Sequence, residues 1–229
     1  FILPFIYHRT IKTVGIGESW LADLIKNWEN NLNKNIKLAY LPSLGRVKLR
    51  LTGTGEKLNI IKKNINNEEK KLLKIIKKYV YGFDNDELES SVGNLLISKN
   101  KTLAIAESCS GGFASHMITS VPGSSKYFSG SIIAYSNSIK INNLNVNEDN
   151  IKKYGSVSKK VVEEMAVNVR KKFNSSIGIA TSGIAGPDGG TKEKPIGTVW
   201  IGISDNKATY SKKLMLTERR DVNITLSSV

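Results

Sequence analysis

The sequence is poor in the residues that most often do chemistry. It holds one cysteine, two histidines and five prolines in 229 residues. A single cysteine excludes an internal disulfide framework and suits a reducing cytoplasm, the compartment expected here. That cysteine, with His8 and His116 far apart in sequence, cannot build a zinc site of nitrogen and sulfur ligands. Composition leaves an all-oxygen magnesium site open. No apolar run is long enough for a membrane span, and the opening stretch FILPFIYHRT soon reaches His8 and Arg9. That opening has no initiating methionine, as expected of a piece cut from a longer protein.

Arginine is scarce too. The net charge is +14, from 34 basic and 20 acidic residues, yet only six of the basic ones are arginine. Residues 1–82 carry 16 Lys/Arg against 6 Asp/Glu, and the remainder 18 against 14. A basic first part suits binding to a polyanion. Nucleic-acid readout, however, favours arginine and interleaved aromatics. The lysine excess fits a Lys-, Asn- and Ile-rich composition as well.

What is present is a globular chain, 40% hydrophobic and 24% charged, long enough for one or two domains. Residues 9–31 read as a strand, a Gly15–Gly17 turn and an amphipathic helix through Trp20, Leu21, Leu24, Ile25 and Trp28. Strands at 36–41 and 46–52 flank a PSLG turn, and a second helix is expected over 67–79. YGFDNDELE, 81–89, reads as the boundary, so the expected domains are 1–82, small and α+β, and 83–229, α/β. In the latter, strands at 102–106, 131–135, 177–181 and 198–204 alternate with helices, the longest at 156–173 behind a Ser156 or Ser158 cap. That alternation predicts helices on both faces of a sheet, a three-layer α/β/α domain.

Three loops follow strands in this part. AESCSGG, 106–112, is a strand–turn–helix junction, where free N–H groups and the helix dipole favour an anion. TSGIAGPDGG, 181–190, is a Gly-rich loop at a strand end, where ligands gather in open α/β sheets. YSNSIK, 135–140, supplies Tyr135, Asn137 and Lys140. No histidine lies in 117–229, and His116 in the helix after Cys109 is a poor partner for either a thiol or a serine. The loops instead offer serine and lysine. A Ser–Lys pair makes a serine nucleophilic when desolvation leaves the lysine partly neutral. A serine then attacks, Lys140 takes its proton, and Cys109 is a small packing residue. Periodicity does not choose between Ser108 and Ser110.

AESCSGG, GSSKYFSGSIIAYSNSIK (123–140) and SGIAGPDGGTKEKPIGTVW (182–200) together resemble the C-terminal domain of the CinA family, competence/damage-inducible proteins with nicotinamide mononucleotide (NMN) deamidase activity. RTIKTVGIGESWLADLI and KLAYLPSLGRVKLRLT resemble the family's KH-like middle domain. The family's N-terminal domain, of molybdopterin-binding type, is expected to lie outside this stretch of sequence. The resemblance implies hydrolysis of the nicotinamide amide to the acid and ammonia, without metal or cofactor. It implies Ser108 as nucleophile and Lys140 as base, with Tyr135 and Ser182 hydrogen-bonding the reacting groups or holding Lys140. Gly111, Gly112 and Asn137 are implied on the substrate side, and Arg219 on its phosphate. Three departures stand out. Ser110 and Ser182 replace threonines, and TER at 217–219 replaces GDR, with Arg220 next in line.

The resemblance further implies a homodimer acting on a small nucleotide, with no membrane partner. The competing expectation is a nucleic-acid or partner-binding module with a silent C-terminal domain. KH modules grip RNA through a GxxG loop. Here Gly15–Ile16–Gly17 and Gly53–Thr54–Gly55 are spaced differently. Nucleic acid is therefore not the expected partner, and the first domain is expected to be mainly structural.

Overall fold

A computed structural model describes residues 3–229. Phe1 and Ile2 of the opening apolar run lie outside the described residues. The chain divides into two compact units, one ending at Ser91 and the other running from Val92 to Val229.

In the first unit β1 (Phe5–Val14) leads into α1 (Glu18–Asn30), then β2 (Ile36–Ser43), β3 (Arg46–Gly55), α2 (Leu58–Ile76) and β4 (Val80–Phe83). The sheet is antiparallel in the order β2-β3-β1-β4. Alternation sets its faces. Val47, Leu49 and Leu51 are buried with Leu21 and Ile25 of α1 and with Ile61, Ile65, Leu72 and Ile76 of α2. Arg46, Lys48 and Arg50 alternate with them. Gly53 belongs to this packing, since a Cβ there would lie 2.6 Å from the Ile61 side chain. Gly15 and Gly17 lie between a strand and a helix, so neither glycine pair forms the helix–helix loop of an RNA-gripping KH module.

Two expectations need correction. The second helix starts at Leu58, not 67, because Ile61 and Ile65 continue the buried stripe and outweigh the weak helix propensity of the asparagines between. Tyr81–Phe83 is not merely a boundary. It belongs to β4, which pairs with β1 through Ile11↔Phe83 and so completes the first sheet.

The second unit runs α3 (Leu88–Ser98, which begins in the first), β5 (Leu103–Glu107), α4 (Phe113–Thr119), β6 (Phe128–Ile133), α5 (Asn137–Leu144), α6 (Glu148–Tyr154) and α7 (Lys159–Lys172). Then come β7 (Ile177–Gly183), β8 (Thr198–Ser204), β9 (Thr209–Met215) and α8 (Arg220–Ser228). The strand order is β6-β5-β7-β8-β9, with β6, β5 and β7 parallel and β8 and β9 antiparallel. Ser158 caps α7. Val161, Val162, Met165, Ala166 and Val169 of α7 press on one face of the sheet. Contact is so close at Gly178 that a Cβ would lie 2.1 Å from the Ala166 carbonyl oxygen. Leu96, Ala114 and Ile118 cover Leu103 and Ile105 on a second cluster, and Ile224 of α8 covers Val199 and Ile201. The result is an α/β/α domain that follows, in sequence, a small α+β KH-like one.

Sequence reading stopped the sheet at 204. The chain goes on into β9, an edge strand whose lysines and exposed positions gave no clear period, and then α8. YSNSIK is not wholly a loop either, because Asn137 opens α5 and Lys140 stands in its first turn. No helix among the described residues is long and apolar enough to cross a membrane.

Candidate active site

β5, β6 and β7 are parallel, so their carboxyl ends lie together, and the chain reverses there at 108–112, 134–136 and 184–190. Ser108 follows the last residue of β5, and its N–H still donates to the Thr181 carbonyl at 3.1 Å. The turn behind it needs two successive positive φ values, 62° at Gly111 and 101° at Gly112, which glycine adopts without strain. Lys140 arrives from the other side on α5, whose start is capped by the Ser136 hydroxyl.

The side chains meet. Lys140 is 2% exposed, and its Nζ donates to Ser108 Oγ at 3.1 Å, the Ala134 carbonyl at 2.8 Å and the Tyr135 carbonyl at 3.2 Å. No carboxylate is among these partners. Burial disfavours the ammonium form and lowers the pKa of Lys140 to about 8. A neutral amine has two hydrogens and a lone pair. The two carbonyls take the hydrogens, and the lone pair then faces the Ser108 hydroxyl. Ser110 cannot serve in its place: it is 2% exposed and shares a 2.7 Å hydrogen bond with the Thr181 hydroxyl.

The pocket around this pair encloses about 280 Å³ and is lined by Ser108, Lys140, Tyr135, Ser156, Ser182, Asp188 and Arg220, among others. Tyr135 points to Arg220, accepting from its Nη2 at 3.0 Å, while the backbone of Tyr135 serves Lys140. Arg220 Nη1 donates to the Gly186 carbonyl at 2.8 Å. Ser182 donates to the Ser156 carbonyl at 2.8 Å, tying β7 to the segment before α7 instead of holding Lys140. Cys109 is buried against Ala185 and Val199, and desolvation raises its thiol pKa, so it packs as expected and stays protonated. His116 lies exposed on α4 and His8 bonds Thr52 in the first unit.

Four substrate-side expectations change. The Gly111 N–H donates to the Ser108 carbonyl, and the Gly112 N–H to Glu107, so neither amide is free for an anion. Asn137 is exposed and does not line the pocket. Arg219 turns outward, 73% exposed and paired with Asp221, and Arg220 takes the place facing the pocket. One residue of register on an N-terminal helical turn rotates a side chain by about 100°, which sequence spacing alone did not resolve here.

Three contributors were missed. Glu107 ends a strand whose five residues are all buried, and a lone acid in such a run was the available signal. Asn223, 1% exposed, accepts from Thr217 N–H and Oγ1 and donates to the Ala185 and Thr217 carbonyls, fastening the loop after β7 to the start of α8. Asp188 brings a carboxylate to the pocket wall. Among the described residues no group of three or more His, Cys, Asp or Glu could hold a metal ion.

The CinA C-terminal domain profile matches residues 85–228, and the KH domain profile of damage-inducible protein CinA matches 8–82. The chain belongs to the CinA family. A CinA-like protein of Cytophaga hutchinsonii is 52% identical over the whole chain, which covers 55% of that relative, and one of Amoebophilus asiaticus is 45% identical with the same coverage. The chain thus spans about half the length of the curated CinA relatives it matches. Solved CinA superfamily proteins of Escherichia coli and Enterobacter cloacae are each 26% identical, with TM-scores of 0.59 and 0.60. They match 61% and 63% of this chain and cover 81% and 88% of their own.

Proposed function

We propose that this chain is an amidohydrolase that converts NMN and water to nicotinic acid mononucleotide and ammonia. The supporting observation is the buried Lys140 amine, 3.1 Å from the Ser108 hydroxyl and with no carboxylate to hold it charged. Ser108 Oγ attacks the carboxamide carbon as its proton passes to neutral Lys140. The tetrahedral oxyanion needs a donor. The N–H of Cys109, the residue after the nucleophile, donates to no backbone carbonyl among the described residues, and Cys109 lines the pocket. Collapse breaks the C–N bond, with the Lys140 proton going to the leaving nitrogen, so ammonia departs and an ester remains on Ser108. Lys140, neutral again, accepts a proton from water as that water attacks the ester. A second tetrahedral species expels Ser108, which recovers its proton from Lys140.

Arg220 lines the pocket, held from behind by the Gly186 carbonyl and Tyr135, which supports it as the cation that meets the substrate phosphate. Tyr135 positions Arg220, and Ser182 and Asn223 brace the loops. The test is ammonia release from NMN by the purified chain beside Ser108→Ala and Lys140→Ala. Turnover by the wild type and its loss in both variants is expected. An inactive wild type, or an active Ser108→Ala, overturns the reading.

A further inference from the structure

Glu107 is fully buried, with none of its surface exposed, at the end of β5 immediately before Ser108. Its carboxylate is saturated. Oε2 accepts the N–H groups of Gly112 at 2.9 Å and Ala114 at 3.1 Å, and Oε1 accepts the N–H of Ser115 at 2.7 Å together with the Ser115 hydroxyl. Its own carbonyl accepts the N–H of Ala134, the residue whose carbonyl holds Lys140. Both ends of the turn that presents Ser108 are therefore pinned by one residue, and that residue also touches the strand end that seats the base.

Resting on the reading of Ser108 and Lys140 above, we infer that Glu107 is a positioning residue for the reaction. It holds the 108–112 turn so that Ser108 Oγ meets the Lys140 amine. It also occupies amides at the start of α4, so anions of the substrate must find donors elsewhere, among them Cys109 N–H and Arg220. The carboxylate form matters. Every donor around Glu107 is an N–H or O–H, and all four point at oxygen. In Glu107→Gln an NH₂ group must face either the Gly112 and Ala114 amides or the Ser115 pair. Donor then meets donor in a site closed to water. The turn relaxes, and a displacement of about 1 Å at a reacting atom costs on the order of 100-fold in rate.

The experiment compares wild type, Glu107→Gln and Glu107→Ala by NMN kinetics, by the rate at which a fluorophosphonate labels Ser108, and by thermal melting. Glu107→Gln is expected to lower kcat between about tenfold and 100-fold, with KM within about twofold of wild type, since Arg220 is untouched. Labelling of Ser108 should slow in parallel. Added formate, supplying the missing carboxylate to the hole in Glu107→Ala, should restore part of the labelling rate. A Glu107→Gln chain with wild-type labelling overturns the inference. So does a Glu107→Ala chain that melts as high as wild type, labels slowly and gains nothing from formate. Should the wild type label at Ser108 yet leave NMN intact, the proposed substrate fails, and the labelling rates alone decide the role of Glu107. A wild-type Ser108 that does not label overturns both.

Discussion

Lys140 links the fold to the proposed reaction through a number that can be measured. Its pKa is lowered from 10.5 to about 8 because the amine is buried without a countercharge. At pH 7 such a group is neutral in ~10% of molecules, and each further pH unit downward removes another factor of ~10. A base mechanism therefore predicts kcat/KM rising about tenfold from pH 6 to pH 7 and levelling above pH 8. The same displacement costs the folded state roughly 3 kcal/mol at neutral pH, taken at ~1.4 kcal/mol per pH unit. The sign is fixed by proton counting. Between about pH 8 and 10.5 the unfolded chain keeps a proton on this lysine that the folded chain has lost, so stability rises with pH across that window. Lys140→Met keeps the linear side chain and removes the charge. Relative to wild type it should be more stable at pH 7, by up to roughly 3 kcal/mol less what the lost hydrogen bonds contributed, and the advantage should shrink towards pH 10. Ammonia release across pH 5.5–9.5 and urea unfolding of both proteins at pH 7 and pH 10 supply the two curves. A rate flat from acid to neutral pH, or a stability difference that does not move with pH, refutes the argument.

Other outcomes follow from neighbouring contacts. Arg220→Ala should raise KM for NMN by about tenfold to 100-fold, the worth of a charge-assisted contact, while Arg219→Ala leaves KM unchanged because its guanidinium faces solvent and Asp221. Steady-state kinetics of both separate the two arginines, and the reverse result would reassign the phosphate site. Asn223→Ala strands buried groups of Thr217 and Ala185, so a loss of about 1–3 kcal/mol in denaturant unfolding is expected. Gly178→Ala would press a methyl against the Ala166 carbonyl at 2.1 Å, which α7 must yield to. A loss of about 3 kcal/mol is expected, and an unchanged melting temperature would contradict the packing. Cys109 should resist iodoacetamide at pH 8 until the chain unfolds, as a buried protonated thiol does.

Much of this protein was legible in one dimension because the controlling interactions are local or periodic. Alternation in RVKLRL marked β3 and its faces, and the apolar stripe of 159–172 marked α7. Strand ends running into Gly-rich turns marked the loops that line the candidate pocket. Scarcity of histidine pointed to a lysine as the expected base, and the resemblance to the CinA family, not the residue pattern, supplied Ser108 as its expected partner. Other features were set only by tertiary packing. Ser108 and Ser110 are equivalent by composition, and the Thr181 hydroxyl on a neighbouring strand absorbs one and leaves the other to Lys140. Arg219 and Arg220 are adjacent in sequence, and the direction of the first turn of α8 sends one to solvent and the other to the pocket. The free-looking glycine amides at 111 and 112 prove engaged, because folding a strand end back on a helix start brings Glu107 to one of them. A sequence lists donors and acceptors, but which of them meet depends on strands and helices distant along the chain, and three-dimensional packing decides that pairing.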